Sequence, residues 1–130
     1  MLGLLASVPA QAACGDSLPA AQRLLAEAGG LQLAFAPSPA PLALGRHFAL
    51  DIVVCAPAGQ PLPATLVVDA DMPAHRHGMN DRATVAALGD GRFRADGLMF
   101  HMAGRWRILF VLPGTAGAPA RRISHEIDLR

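Results

Sequence analysis

Residues 121–129 read RRISHEIDL, and the side chains along this stretch alternate in character with a period of two. The residues that face one way are Ile123, His125, Ile127 and Leu129, and those that face the other way are Arg122, Ser124, Glu126 and Asp128. A period of two is typical of a β-strand that lays one face on a core. The C-terminal stretch therefore predicts a strand.

The same pattern recurs upstream of this stretch. Strands are predicted at residues 47–55 (HFALDIVVC), 64–70 (ATLVVDA), 83–88, 92–95 and 105–112 (RWRILFVL). The Gly89-Asp90-Gly91 sequence tolerates positive φ angles and predicts a hairpin between two of them. Short strands at this spacing predict an all-β fold, an immunoglobulin-like β-sandwich of about seven strands.

One short N-terminal helix is also expected. Ser17 is a suitable N-cap, Pro19 fits a first helical turn, and Gly29-Gly30 would end the helix. The face presented to the core would carry Leu18, Ala21, Leu25 and Ala28.

Length and charge limit the domain organisation and the partners. The 130 residues suffice for one core, so residues 13–130 are predicted to form a single domain. All eleven cations are arginines, scattered along a chain of net charge +1. Nucleic acid is a poor partner, because phosphate binding needs cations that converge on one surface.

Residues 1–12 resemble a signal peptide. A short apolar run ends in Ala10-Gln11-Ala12, the small-x-small form that a signal peptidase cleaves. This segment predicts a periplasmic or otherwise exported protein.

Cys14 and Cys55 are the two cysteines of the chain. In an oxidising compartment they would pair, and closing a loop of about 40 residues contributes on the order of 4 kcal/mol. The alternative is a buried free Cys55 and an unpaired Cys14. The disulfide is the favoured interpretation, given the signal-like segment.

Histidine and methionine cluster in one part of the sequence. Four of the five Met and three of the five His lie between residues 72 and 102. Thioether and imidazole together are ligands for copper, whereas zinc sites rarely use Met. The predicted metal ligands are His75, His77, Met79 and His101, with Met72 and Met102 as alternates.

The spacing of these residues favours a common site. His75 and His77 would leave an extended segment on the same side, and the hairpin at residues 89–91 would bring His101 back towards them. Each residue also has an ordinary interpretation, as a solvated loop His or a core Met. His47, His125 and Trp106 are interpreted as structural residues, with a minor alternative that places Trp106 beside bound Cu(I).

The segments that carry these residues also resemble a known family. Met72-Pro73-x-His75-x-His77-Gly78-Met79-Asn80, then Gly89-Asp90-Gly91-Arg92-Phe93, then Phe100-His101-Met102-x-Gly104-x-Trp106 look like the YtkA-like domain, which is related to FixH-like proteins. The resemblance covers about residues 47–130. It implies an exported or membrane-anchored immunoglobulin-type sandwich, often associated with copper or cytochrome-oxidase assembly. Arg76 stands where the family pattern usually has Gly, and Ala103 where it has Pro.

The sequence therefore predicts an exported copper-binding protein that carries, buffers or delivers copper, with the oxidation state of the ion left open. A periplasmic or membrane protein, such as an oxidase, would receive the ion. The alternative is a metal-free periplasmic protein-interaction module of the same fold. We do not expect an enzyme, because no general base or substrate pocket is visible in the sequence.

Overall fold

The computed structural model describes residues 13–114, 117 and 119–130. The signal-peptide-like segment at residues 1–12 lies outside the described residues. Within the described part no helix is long and apolar enough to cross a membrane.

The described residues form nine strands. They are β1 (Leu24–Ala28), β2 (Leu31–Ser38), β3 (Phe48–Cys55), β4 (Val67–Met72), β5 (His77–Gly78), β6 (Thr84–Gly89), β7 (Arg92–Leu98), β8 (Gly104–Leu112) and β9 (Arg121–Leu129). One sheet has the order β1-β2-β3-β7-β6 and the other β5-β4-β8-β9, and neighbouring strands pair antiparallel. The predicted all-β sandwich is confirmed.

The core lies between the two sheets, because alternate residues of β3, β7 and β8 point inward. Its largest fully buried side chains include Trp106, Phe35, Phe100 and Phe110. Removing such apolar surface from water is the main force that holds two sheets together.

The predicted N-terminal helix is wrong. The described residues contain no helix, and residues 24–28 form β1, which pairs with β2. Gly29 and Gly30 have φ angles of +57° and +81°, which suit a two-residue hairpin turn rather than a helix end. Leu25, expected on the buried helix face, is 63% exposed.

A disulfide joins Cys14 to Cys55, the last residue of β3, as predicted. The Cα atoms of the two residues are 5.9 Å apart, which is within the range of ordinary disulfides. The bond ties the segment that precedes β1 to the sheet. Bonds of this kind persist in oxidising compartments.

Candidate metal centre

The first part of the site is the hairpin that joins β4 to β5. Met72 and His77 are partners across this hairpin, so their side chains leave the same face of the sheet. The four residues between them form the turn, and the His75 N–H donates to the Met72 carbonyl oxygen at 3.0 Å. His75 is therefore held at the turn and His77 at the start of the edge strand.

Arg76 separates the two histidines in an unusual backbone conformation. Its φ angle is +53°, in the left-handed region that favours glycine. The segment is therefore a turn, and the extended geometry expected for residues 75–77 is wrong. The imidazoles of His75 and His77 still lie near each other, with ring centroids 5.9 Å apart.

The second part of the site is the loop between β7 and β8. Phe100 is buried within this loop, and its ring centroid lies 5.0 Å from that of Phe48 and 4.8 Å from that of Trp106. Its carbonyl oxygen accepts a hydrogen bond of 2.8 Å from the N–H of Gly45. Phe100 thus anchors the loop in the core, and the side chain of the next residue, His101, is exposed at the surface.

The two parts meet at one end of the sandwich. The ring centroids of His77 and His101 are 5.3 Å apart, although the residues are 24 positions apart in the chain. Two imidazoles that share one ion at metal–nitrogen distances of about 2 Å have centroids on the order of 5–6 Å apart. The spacing of His77 and His101 is therefore compatible with both imidazoles binding the same metal ion.

Trp106 lies next to the histidine pair. Its ring is completely buried, with its centroid 6.0 Å from that of His77 and 5.4 Å from that of His101. Both imidazole planes are steeply inclined to the indole, at 85° and 77°. The indole N–H donates to the Met102 carbonyl oxygen at 3.0 Å, which anchors the loop beside His101. Trp106 is thus a core residue that also borders the site.

The methionines take two kinds of position. Met72 is 1% exposed, and its Cε methyl packs over Gly104, 2.6 Å from where a Cβ atom would stand. This burial favours a packing role for Met72. Met79 and Met102 are only partly buried at the border of the core, and Met79 is fixed by a backbone hydrogen bond of 3.3 Å from its N–H to the Ala70 carbonyl oxygen.

The nearby carboxylates have other partners. Asp71 accepts two hydrogen bonds from Arg107, at 3.0 and 2.7 Å, on the outer face of the second sheet. The hydrogen bond to Asp71 and the charge of that carboxylate raise the pKa of the Arg107 guanidinium above its usual value. Asp81 lies 3.1 Å from the ring nitrogen Nε2 of His47. The donor set at this end of the sandwich is therefore imidazole and thioether.

The remaining histidine has a structural environment. His125 is half-buried on β9, and its ring lies edge-on to Phe35 with centroids 5.2 Å apart. This position agrees with the structural role inferred from the sequence.

The imidazoles alone do not form a closed site. Within the part of the chain that the structure describes, no group of three or more His, Cys, Asp or Glu side chains could hold a metal ion. A thioether is not among those donors, and His75 and His101 are exposed side chains with room to turn. A metal ion bound here would require a thioether ligand, a movement of the imidazoles, or both.

Sequence reasoning assigned no role in the site to Phe100 or Gly104, and it noted Arg76 only as a departure from the glycine that is usual in the family. Phe100 fixes the loop of His101, Gly104 gives space to Met72, and Arg76 turns the chain between His75 and His77. The alternation of Met99, Phe100 and His101 was a usable signal for the buried Phe. The signal for the conformation of Arg76 was the glycine that the family pattern usually has at this position, since residues with a Cβ seldom adopt positive φ.

Comparison with known proteins adds the family. No curated protein matches the sequence. Among solved structures, the crystal structure of a DUF4426 family protein from Pseudomonas aeruginosa PAO1 is similar at 13% identity and a TM-score of 0.49, over 85% of this chain and 97% of that one. The YtkA-like family matches residues 26–110, starting well before His47 and ending within β8. Because this match covers more than half of the 130 residues, the chain belongs to the YtkA-like family.

Proposed function

We propose that this protein binds one copper ion at the cluster of His75, His77 and His101, with a thioether from Met79 or Met102. Its role is to carry, buffer or deliver copper outside the cytoplasm. The observation that supports this most is the 5.3 Å separation of the His77 and His101 rings, which come from distant parts of the chain.

Copper is preferred to zinc because of the donor set. Thioethers are soft ligands that suit Cu(I), imidazole accepts either oxidation state, and zinc sites use Cys, His and carboxylate. The nearby carboxylate of Asp71 is engaged with Arg107, and both cysteines are joined in a disulfide. Imidazole and thioether are the donors that remain at this surface.

The hydrogen bonding of His77 supports a role as a ligand. Its Nδ1 atom lies 3.2 Å from the Gly78 carbonyl oxygen. An imidazole that donates its Nδ1–H to a carbonyl keeps the lone pair of Nε2 for a metal, an arrangement common among metal-binding histidines. The same contact holds the ring in place beside Trp106.

The openness of the site suits transfer rather than storage. His75 and His101 are exposed, so a partner protein could contact the ion directly and displace its weaker thioether ligand first. The partner would be a periplasmic or membrane protein that receives copper. Export is supported by the disulfide between Cys14 and Cys55, since such bonds persist in oxidising compartments.

The test is a titration of the disulfide-bonded protein with Cu(I) against a chelator of known affinity. We expect one ion per chain, and at least about tenfold weaker binding, about 1.4 kcal/mol, in a His77→Ala/His101→Ala variant. His47→Ala is the matched control, because it removes an exposed imidazole that lies outside the cluster, beside Asp81. Binding that survives the double substitution, or falls equally with His47→Ala, would refute this site. Absence of any binding would leave the metal-free interaction module as the better account.

A further inference from the structure

The edge strand β6 of the five-stranded sheet contains no charged residue. Residues 83–89 read ATVAALG, without a charged side chain, and Leu88 is 58% exposed. Within the described residues β6 forms its ladder with β7 alone. Its other side therefore presents unpaired backbone N–H and C=O groups, which are a template for a further strand.

The other edges of the two sheets are protected. The long edge strand β9 carries Arg121, Arg122, Glu126 and Asp128, and charged side chains discourage pairing with another chain. The edge strand β1 lies against β9, and β5 has only two residues. Among the strand edges that the structure describes, β6 is the uncharged one, and it approaches β4 of the other sheet less extensively than β1 approaches β9.

The sequence around β6 is complementary to itself. If two copies pair antiparallel about a two-fold axis at Ala86, Thr84 faces Leu88 and Arg82 faces Asp90 of the other copy. Arg82 lies two residues before β6 and Asp90 directly after it, so opposite charges would meet just beyond both ends of the new ladder. Neither Arg82 nor Asp90 forms an ion pair within the described residues of a single chain.

We propose that β6 is a homodimer interface, in which two copies join their five-stranded sheets edge to edge with a two-fold axis at Ala86. In a two-fold dimer the β6 edge of each copy pairs with that of the other. No β6 edge then remains free, so assembly stops at the dimer. The proposal is independent of the metal site.

Such a dimer would be weak. A single pair of six-residue strands buries less surface than the roughly 1,200 Å² typical of stable complexes. We expect dissociation constants in the micromolar range or above, and the association must be measured up to high protein concentration. Sedimentation equilibrium of the folded, disulfide-bonded protein gives the stoichiometry and the constant directly.

Two sets of variants test the position of the two-fold axis and the contribution of the Arg82–Asp90 charge pair. Ala86→Lys places like charges opposite each other and should weaken the dimer at least about tenfold, because Ala86 is exposed and the fold should tolerate the change. Arg82→Asp and Asp90→Arg should each weaken it about threefold, and the two combined should restore it. Asp90 has a φ angle of +53°, the value at which Arg76 already stands, so an arginine is tolerable there.

Arg122→Asp is the matched control for Arg82→Asp, since it makes the same charge change on an exposed residue of β9.

Cysteine cross-linking tests the register of the two strands. Ala86→Cys should cross-link two copies, because each Ala86 lies opposite the other. Leu88→Cys should not, because the two copies of Leu88 would lie four positions apart along the ladder. A protein that stays monomeric at all concentrations would overturn the proposal. A dimer that Ala86→Lys does not weaken would overturn it as well. So would a dimer that Arg122→Asp weakens as much as Arg82→Asp does.

Discussion

The imidazole of His77 stands almost perpendicular to the indole of Trp106, with ring centroids 6.0 Å apart and planes at 85°. Trp106 is the one tryptophan of the chain, which has no tyrosine. Trp106 is therefore the single strong fluorophore of the protein, and it borders the proposed copper site. An ion held by His77 and His101 would lie within a few ångströms of this ring, close enough to alter its emission.

Copper binding should quench the fluorescence of Trp106. We expect a loss of more than half of the emission, complete at one equivalent of copper, because a nearby copper ion opens non-radiative routes for the excited indole. The measurement is a fluorescence titration with Cu(II), and with Cu(I) in the absence of oxygen. In His77→Ala/His101→Ala the quenching should disappear, while His47→Ala should behave like the unmodified protein. Quenching that persists in the double variant would point to copper bound elsewhere.

Loss of the half-buried thioethers should weaken Cu(I) more than Cu(II). Met79→Leu/Met102→Leu keeps apolar volume at the border of the core but removes both sulfur donors. We expect roughly tenfold weaker Cu(I) binding, with a smaller effect on Cu(II), because thioethers prefer the softer ion. Chelator competition for each oxidation state measures this difference.

Met72→Leu is the control for the thioether experiment. It removes a sulfur atom from a residue that is 1% exposed and packs over Gly104. Stability should fall by less than about 1.5 kcal/mol, and the affinity for Cu(I) should not change. If Met72→Leu alone weakened Cu(I) binding, Met72 would have to be counted among the ligands.

The conformation of Arg76 predicts opposite effects for two substitutions. Glycine occupies φ = +53° without steric cost, so Arg76→Gly should leave stability unchanged or raise it by up to about 1 kcal/mol. A β-branched side chain is excluded more strongly, and Arg76→Val should cost more than about 1 kcal/mol. Urea unfolding of both variants gives the comparison. Equal destabilisation by the two would contradict a left-handed Arg76.

The disulfide should contribute to stability without contributing to metal binding. Replacing both Cys14 and Cys55 with serine should lower the free energy of unfolding by about 2–4 kcal/mol, as measured by chemical denaturation. Copper binding by this variant should match that of the unmodified protein, because Cys55 ends β3 whereas the site lies near the start of that strand. The variant also has no thiol, so any copper it holds is bound by other donors.

Most of the fold could be predicted from alternation along the strands. Residues 121–129 gave the full extent of β9, and Gly89-Asp90-Gly91 gave the hairpin between β6 and β7. These signals are local, because a strand with one buried face and a tight turn both restrict the residues within them.

Residues 24–28 show where local signals failed. Leu25 and Ala28 fit the spacing of a helix, but Leu24, Ala26 and Ala28 fit a strand equally well. Pairing with β2 decides between the two, since it satisfies the backbone of β1 and places Leu24 beside the core. That pairing is a tertiary interaction that propensity within the segment does not contain.

The residue types of the His/Met cluster and the approach of its two segments could be predicted, but its detailed geometry could not. The residue types around His77 and His101 indicated copper, and their approach to each other followed from the antiparallel path of the chain. The turn at Arg76, the burial of Met72 and the support from Phe100 depend on packing between the sheets. These three features decide which donors are available, and only the turn had a signal in the sequence, the glycine that the family pattern usually has in place of Arg76.

The most direct test of the copper site is a crystal structure of the copper-loaded protein, with anomalous scattering recorded on both sides of the copper absorption edge. We predict one copper peak per chain, within bonding distance of His77 and His101 and beside the indole of Trp106, with a methionine sulfur as a further ligand. A fully loaded crystal that shows no peak between these two imidazoles, or shows copper only at His47 or His125, would contradict the proposed site.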